Sequence, residues 1–97
     1  MRKIVLLDSE SIGLDISYDS FRAYGELIIY PNTAPDLIAE RVRDAEVILT
    51  NKCSLNASNL SSAENLKLIC IAATGFDNID VAWCRENGVA VCNVKGY

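Results

Sequence analysis

The sequence has 97 residues, of which 51% are hydrophobic and 23% are charged. This length suits one small domain with its own core, and the composition argues against a disordered chain. The formal net charge of −4 offers no basic surface for nucleic acid or anionic lipid. No apolar run approaches the roughly 20 residues of a membrane helix. The short apolar run after Lys3 predicts a strand rather than a signal peptide, so we expect a cytoplasmic protein.

The cysteines argue against a metal site. There are four of them, without C-x-x-C spacing, and the sequence contains no histidine. Structural zinc normally requires closely spaced Cys and His pairs, so we expect no metal and four reduced thiols. Cys70 and Cys92 fall in predicted buried strands and Cys84 in a predicted helix. Cys53, in a predicted loop, is therefore the thiol expected to be reactive.

The first half of the chain predicts three strands and two helices. Thr33 is the expected cap of the second helix, with Asp36 at the third helical position. Apolar residues at helical spacing in that helix indicate a core-facing stripe. The strands are predicted at Lys3–Asp8, Leu27–Tyr30 and Glu46–Thr50, the helices at Tyr18–Tyr24 and Thr33–Arg43, the stripe at Ala34, Ile38, Val42 and Ala45, and a loop at Ser9–Ser17.

The second half predicts two short helices and two buried strands. Asn56 is expected to cap one or two helical turns over Asn56–Ala63, with Leu55 and Leu60 turned inward. Unalternating apolar runs predict strands at Leu68–Ala73 and Val89–Val94. Between them, a helix is predicted from Val81 to Asn87. The Asp80 side chain is expected to cap its start by accepting from the backbone N–H of Trp83 or Cys84. A left-handed conformation at Asn87-Gly88 is expected to end it. Trp83 itself is either a packing variation or an anchor at a subunit contact.

Five strands that alternate with short helices predict an α/β fold. The expected architecture is a flavodoxin-like, doubly wound, five-stranded parallel sheet of order 2-1-3-4-5 that lacks its last helix. Too few helices are predicted to cover both faces of such a sheet. We therefore expect an uncovered apolar face and a homo-oligomer formed through it.

A ligand site is expected where the fourth strand ends. Open α/β sheets usually bind ligands beyond the carboxyl ends of their strands. There, Gly75 permits a tight turn, and the backbone N–H groups of Ala73–Phe76 could bind a small anion. The residues themselves indicate a small anionic ligand and nothing more specific.

The segment ATGFDNID, followed by a short helix ending in NG and then VAVCNVKGY, resembles a known family. It is similar to the substrate-binding (catalytic) domain of the D-isomer-specific 2-hydroxyacid dehydrogenases. Together with TNKCSL at positions 50–55, it most resembles the glycerate dehydrogenase, or hydroxypyruvate reductase, branch. Proteins of this family are much longer, so the resemblance implies that residues 1–97 are part of a substrate-binding domain and that the nucleotide-binding domain is absent.

The resemblance implies an oxidoreductase that uses NAD and acts on a small 2-hydroxy or 2-oxo acid. The family's catalytic arginine, glutamate and histidine lie beyond residue 97, so no catalytic residue is expected in this chain. The five glycines form no G-x-G-x-x-G fingerprint, so no cofactor-binding residue is expected either. The family's substrate carboxylate binds backbone amides of the loop matching Thr74 and Gly75, and Lys52 occupies the place of an assisting basic residue.

Two other functions remain open on the residues alone. A receiver-like signalling domain would use Asp8, Thr74 and Lys95, but the third strand ends in Thr50-Asn51-Lys52 instead of an aspartate. Flavin binding is disfavoured because Asp8–Gly13 lacks a hydroxyl-rich phosphate loop. The other alternative is a non-catalytic domain that only folds and self-associates.

Overall fold

A computed structural model describes residues 2–12, 19–72 and 78–93. For residues 2, 12 and 19–21 it describes the backbone only. Its centre is a five-stranded sheet of order β2-β1-β3-β4-β5, in which every neighbouring pair is parallel. The predicted fold class and strand order are confirmed. The strands are β1 (Arg2–Leu6), β2 (Gly25–Ile29), β3 (Val47–Thr50), β4 (Leu68–Ile71) and β5 (Ala90–Asn93).

Short helices connect the strands. The helix at Asp19–Tyr24 confirms the helix predicted at Tyr18–Tyr24, and a turn of 3-10 helix at Pro35–Leu37 leads into the helix at Ile38–Val42. No helix in the described ranges is long and apolar enough to cross a membrane. The helices are α1 (Ser9–Ile12), α2 (Asp19–Tyr24), α3 (Ile38–Val42), α4 (Ala57–Leu60) and α5 (Val81–Glu86).

The main core lies between one face of the sheet and helices α3, α4 and α5. Val5, Ile48 and Ile69 from three adjacent strands are completely buried there. The helices contribute buried side chains at helical spacing, which confirms most of the predicted stripe, although Ala34 is exposed. Trp83 packs partly against this core, which gives it a packing role. The helix residues in the core are Ile38, Val42, Leu60 and Cys84.

The other face of the sheet carries a smaller core of Leu6, Leu49, Cys70 and Ala72. Because β–α–β crossovers are right-handed, α1 and α2 belong to this face and the three later helices to the first. The middle of this face is buried. The prediction of a wide uncovered patch is therefore wrong for that part of the face. Partly exposed apolar side chains remain at Val47 and Leu68, the first residues of β3 and β4, and at Leu27 in the middle of β2.

Several local predictions are confirmed because their signals act within a few residues. Asp80 Oδ1 accepts a hydrogen bond from the Trp83 N–H at 3.0 Å and so caps α5. Gly88 ends that helix in the left-handed region, with φ of 71°. Asn56 caps α4 by accepting from the Ser58 N–H at 2.9 Å, and Asn59 completes a reciprocal box.

Three local predictions are wrong. Ser9–Ile12 forms a helical turn rather than a loop, because Asp8 anchors its start. The rest of that predicted loop, 13–17, lies outside the described residues. Thr33 caps nothing, since its hydroxyl donates to Leu7 O at 2.8 Å and the residue at the helix start is Ala34. Strand β5 is an edge strand with alternating exposure, so Cys92 is exposed rather than buried.

Candidate functional site

A cavity of about 460 Å³ opens beyond the carboxyl ends of β1 and β3. This is the edge of the sheet where ligands of open α/β folds bind. One wall is the segment from Pro31 to Pro35 that follows β2, and the facing wall is the loop between β3 and α4. Most of the exposed lining surface is apolar, but polar side chains also contribute to it: Ser11, Asn32, Thr33, Lys52, Ser54, Asn56 and Asn59.

The loop between β3 and α4 is fixed from one side by Asp8. This carboxylate is only 6% exposed. Its Oδ1 accepts from Thr50 Oγ1 at 2.9 Å and from the Asn51 N–H at 3.0 Å. Its Oδ2 accepts from the Lys52 N–H at 2.7 Å and from Ser11 Oγ at 3.0 Å. One buried carboxylate therefore joins β1, α1 and the loop after β3.

Asn78 fixes the same loop from the other side. Its Nδ2 donates to Cys53 O at 2.8 Å and to Asn51 O at 3.3 Å. Its own carbonyl accepts from the Leu55 N–H at 2.9 Å, and the Asp80 N–H donates to Leu55 O at 2.8 Å. These bonds form a short parallel bridge between Leu55 and Ile79, so the loop spans residues 51–55 with support on both flanks.

The hydrogen bonds inside this loop leave few backbone donors for a ligand. The N–H groups of Asn51 and Lys52 go to Asp8, and the Cys53 N–H goes to Thr50 Oγ1 at 3.2 Å. A ligand that enters the cavity past these three residues therefore meets their side chains rather than their amides. Lys52 is the residue among them that carries a positive charge.

Lys52 follows β3, and its exposed side chain lines the cavity. Its ammonium suits an anionic group, since hydrogen bonds between ionised partners are about twice as strong as neutral ones. The other two predicted site residues, Thr74 and Gly75, lie outside the described residues. So do the remaining amides of the predicted loop Ala73–Phe76, as well as Lys95 and the chain end.

Arg41 holds the opposite wall and was not predicted as a site residue. Its Nη1 donates to Asn32 O and to Thr33 Oγ1, both at 2.8 Å. Its guanidinium also stacks over the Tyr30 ring, 4.1 Å from the centroid. These contacts give Arg41 a structural role in the wall. Its position on a predicted amphipathic helix gave no sign of this, because its partners are distant in sequence.

The environment of Cys53 does not favour the reactivity expected from its loop position. Burial raises the pKa of the Cys53 thiol above its usual value, and the nearby Asp8 charge adds to the increase, although a hydrogen bond with Thr50 opposes it. Since the thiolate is the nucleophile, a raised pKa lowers reactivity at neutral pH. Among the described residues, no group of three or more metal-binding side chains occurs.

The role of Asp8 differs from the one that the signalling alternative would give it. A phosphorylation-site aspartate or magnesium ligand needs free carboxylate oxygens, whereas both Asp8 oxygens accept from the protein itself. The sequence signal for this anchor was an acid at the end of a strand, which is compatible with either role. The partners that decide between the roles are more than 40 residues away in the chain.

Curated proteins with related sequences are oxidoreductases. The chain is 38% identical over 97 residues to a glycerate dehydrogenase of Methylorubrum extorquens, covering 99% of this chain and 30% of that protein. It is 29% identical over 99 residues to a hydroxypyruvate reductase of Blautia hydrogenotrophica, covering 98% of this chain and 31% of that protein. The chain thus spans about a third of the length of these relatives.

Solved structures show the same fold. NAD⁺-bound 3-phosphoglycerate dehydrogenase of Entamoeba histolytica superimposes with a TM-score of 0.75 at 22% identity, covering 95% of this chain and 32% of that one. The sequence model of one protein family, the catalytic domain of the D-isomer-specific 2-hydroxyacid dehydrogenases, matches residues 4–97 of this chain. The chain therefore belongs to the D-isomer-specific 2-hydroxyacid dehydrogenase family.

Proposed function

We propose that this chain is the substrate-binding part of an NAD-dependent dehydrogenase of small D-2-hydroxy acids, with glycerate and hydroxypyruvate as the favoured pair. The observation that carries the proposal is the exposed Lys52, which lines a cavity at the carboxyl end of β3 and lies on a loop fixed from both sides. The names of the two curated relatives support the choice of substrate.

A small hydroxy acid suits the chemistry of this cavity. Its carboxylate would pair with the Lys52 ammonium and with the amides of Thr74 and Gly75. Its hydroxyl groups would find amide and hydroxyl partners among Asn32, Ser54 and the other lining residues. In this arrangement the chain binds and orients the acid, and its residues take no part in proton or hydride transfer.

The sequence has no G-x-G-x-x-G fingerprint for a nicotinamide cofactor. Among the described residues, Gly25 lies at the start of β2 and Gly88 follows α5, and neither opens a strand–turn–helix that could cradle a pyrophosphate. We therefore assign NAD to another part of the intact enzyme, as the NAD⁺-bound structure with the same fold suggests. The domain 1–97 alone is expected to have no dehydrogenase activity.

The test of the proposal is Lys52→Ala in the intact dehydrogenase that contains residues 1–97. Loss of one charge-assisted hydrogen bond is worth about 1.5–3 kcal/mol, so KM for hydroxypyruvate should rise roughly tenfold or more. Lys67→Ala is the matched control, because Lys67 is also exposed but precedes β4 at the opposite end of the sheet. Unchanged KM and kcat in Lys52→Ala would remove Lys52 from the site.

Gly75→Val tests the other half of the proposed carboxylate site. A β-branched side chain at Gly75 blocks both a positive φ and close approach of a ligand to the backbone, so activity should fall more than in Lys52→Ala. Normal activity of this variant would contradict the role of the loop.

Calorimetric titration of the 97-residue chain with NAD should give no binding heat, and a micromolar dissociation constant would contradict the assignment of the cofactor elsewhere.

A further inference from the structure

Two cysteines face each other across the last two strands of the sheet. Cys70 of β4 and Cys92 of β5 are partners in the parallel register. The Cys92 thiol donates to Cys70 Sγ at a distance of 3.4 Å. Cys70 is 3% exposed, whereas Cys92 is exposed on the edge strand. One thiol of the pair is therefore accessible to a reagent, and the second lies directly behind it.

The backbone geometry permits a bond between these two sulfurs. Adjacent strands lie about 4.8 Å apart, and register partners point to the same face. That spacing falls within the roughly 4.4–6.8 Å between Cα atoms of disulfide-bonded cysteines, towards its short end. The Sγ atoms need only side-chain rotation to close from 3.4 Å to the bonded distance.

We propose that Cys70 and Cys92 form a two-thiol oxidation site for small disulfides of the glutathione disulfide class. Oxidation would join β4 to the edge strand β5. The proposal does not depend on the activity of the intact enzyme, since both residues lie away from the cavity that contains Lys52.

The reaction follows thiol–disulfide exchange. The Cys92 thiolate attacks one sulfur of glutathione disulfide, which forms a mixed disulfide and releases one glutathione thiolate. Cys70 then attacks the Cys92 sulfur, the Cys70–Cys92 bond forms, and the second glutathione leaves with the Cys70 proton. Two protein thiols are oxidised and one glutathione disulfide is reduced to two glutathione molecules.

The order of attack follows from the surroundings of the two thiols. Burial, with added contributions from the neighbouring Cys92, raises the pKa of Cys70 to about 12. A thiol with so high a pKa is almost entirely protonated at neutral pH, so the exposed Cys92 is the attacking group. Cys70 reacts second because the mixed disulfide holds its target beside it.

The experiment is incubation of the reduced 97-residue chain with glutathione disulfide, followed by intact-mass measurement. Wild-type protein should lose two hydrogen atoms and retain no glutathione. Cys70→Ser should instead retain one glutathione on Cys92. Cys92→Ser should neither lose two hydrogen atoms nor retain glutathione. Cys84→Ala is the matched control, because Cys84 is buried in the other core, and it should behave like wild type.

Peptide mapping then identifies the bond. Combined cleavage at Lys, Arg and Asp places each cysteine in a separate peptide, 53–67, 68–76, 80–85 and 86–95. The expected product links 68–76 with 86–95. A stable glutathione adduct on the wild type, a link to another cysteine, or a link between two chains would overturn the proposal. Cys92→Ser alters an exposed position, so it remains a valid test if Cys70→Ser does not fold.

Discussion

Asp8 shows how one buried side chain organises the loop that carries Lys52. Its two oxygens accept hydrogen bonds from groups on three different parts of the chain, including two consecutive loop amides. A carboxylate that is 6% exposed requires such donors, since burial of an unpaired charge is costly. The position of Lys52 therefore depends on a residue 44 positions earlier in the chain.

We expect Asp8→Asn to destabilise the chain by about 3 kcal/mol, because an amide group turned towards the N–H donors leaves at least one of them without an acceptor. The measurement is urea denaturation followed by circular dichroism. Glu10→Gln is the matched control, since this exposed acid makes one surface hydrogen bond with Asn32 and should change stability by under about 0.5 kcal/mol. Equal stability of the two variants would contradict the anchoring role.

The buried Cys70 thiol predicts a lower free energy of unfolding at alkaline pH. Burial raises the pKa of Cys70 from its ordinary 9.0 to about 12. The folded chain then holds this proton more tightly than the unfolded chain, so the stabilisation is complete below pH 9 and is lost as pH rises from 9 towards 12. Under reducing conditions, urea denaturation should show a larger loss of stability between about pH 8 and pH 10 for wild type than for Cys70→Ala. Equal losses would show that Cys70 does not contribute.

At the scale of elements, helix α5 is the part most completely determined by nearby residues. Asp80 caps its start, and Gly88 ends it in a conformation that L-residues rarely adopt. A side chain at Gly88 would meet no atom within 4 Å, so the cost of a substitution there comes from the backbone alone.

Gly88→Ala should therefore destabilise the chain by about 1 kcal/mol, measured as a lower midpoint of thermal unfolding. Gly88→Asn should cost less, because asparagine enters the left-handed region more readily than alanine. If alanine were tolerated as well as asparagine, the positive φ would not be required at this position.

The same elements show why the sequence predicted some features and missed others. Asn56, Asp80 and Gly88 act on atoms within a few residues, so their roles could be read from spacing. Thr33 also has the chemistry of a cap, but its hydroxyl donates to Leu7 O in a tertiary contact that competes with capping. Strand order followed from connection rules, whereas the exposure of β5 depended on its place at the sheet edge, which apolar composition alone does not show.

At the scale of the whole molecule, the second face of the sheet carries a row of apolar side chains at the level where β3 and β4 begin. The register aligns Leu27, Ile4, Val47 and Leu68 across four strands. Ile4 is buried, and the other three are partly exposed. Cys92 lies outside this row, two register pairs beyond the pair of Leu68 with Ala90. Within the described part of the chain, the row offers an apolar surface for a second copy of the chain.

We expect the 97-residue chain to form a homodimer through this row, since burial of apolar area contributes roughly 25 cal/mol per Å². Sedimentation velocity at tens of micromolar should detect the dimer in wild type and only monomer in Val47→Lys. Ala57→Lys, which adds the same charge at an exposed position of helix α4, should remain dimeric. A monomeric wild type, or dimers in both variants, would contradict an interface at this row.

The loop between β3 and α4 has a thermodynamic consequence for ligand binding. Its amides at Asn51, Lys52 and Cys53 are all hydrogen-bonded to the protein before any ligand arrives. An anion bound there orders little backbone, and the main conformational entropy lost is that of the Lys52 side chain, about 2 kcal/mol at most. Affinity at this position is therefore limited by one flexible side chain rather than by the cost of folding a loop around the ligand.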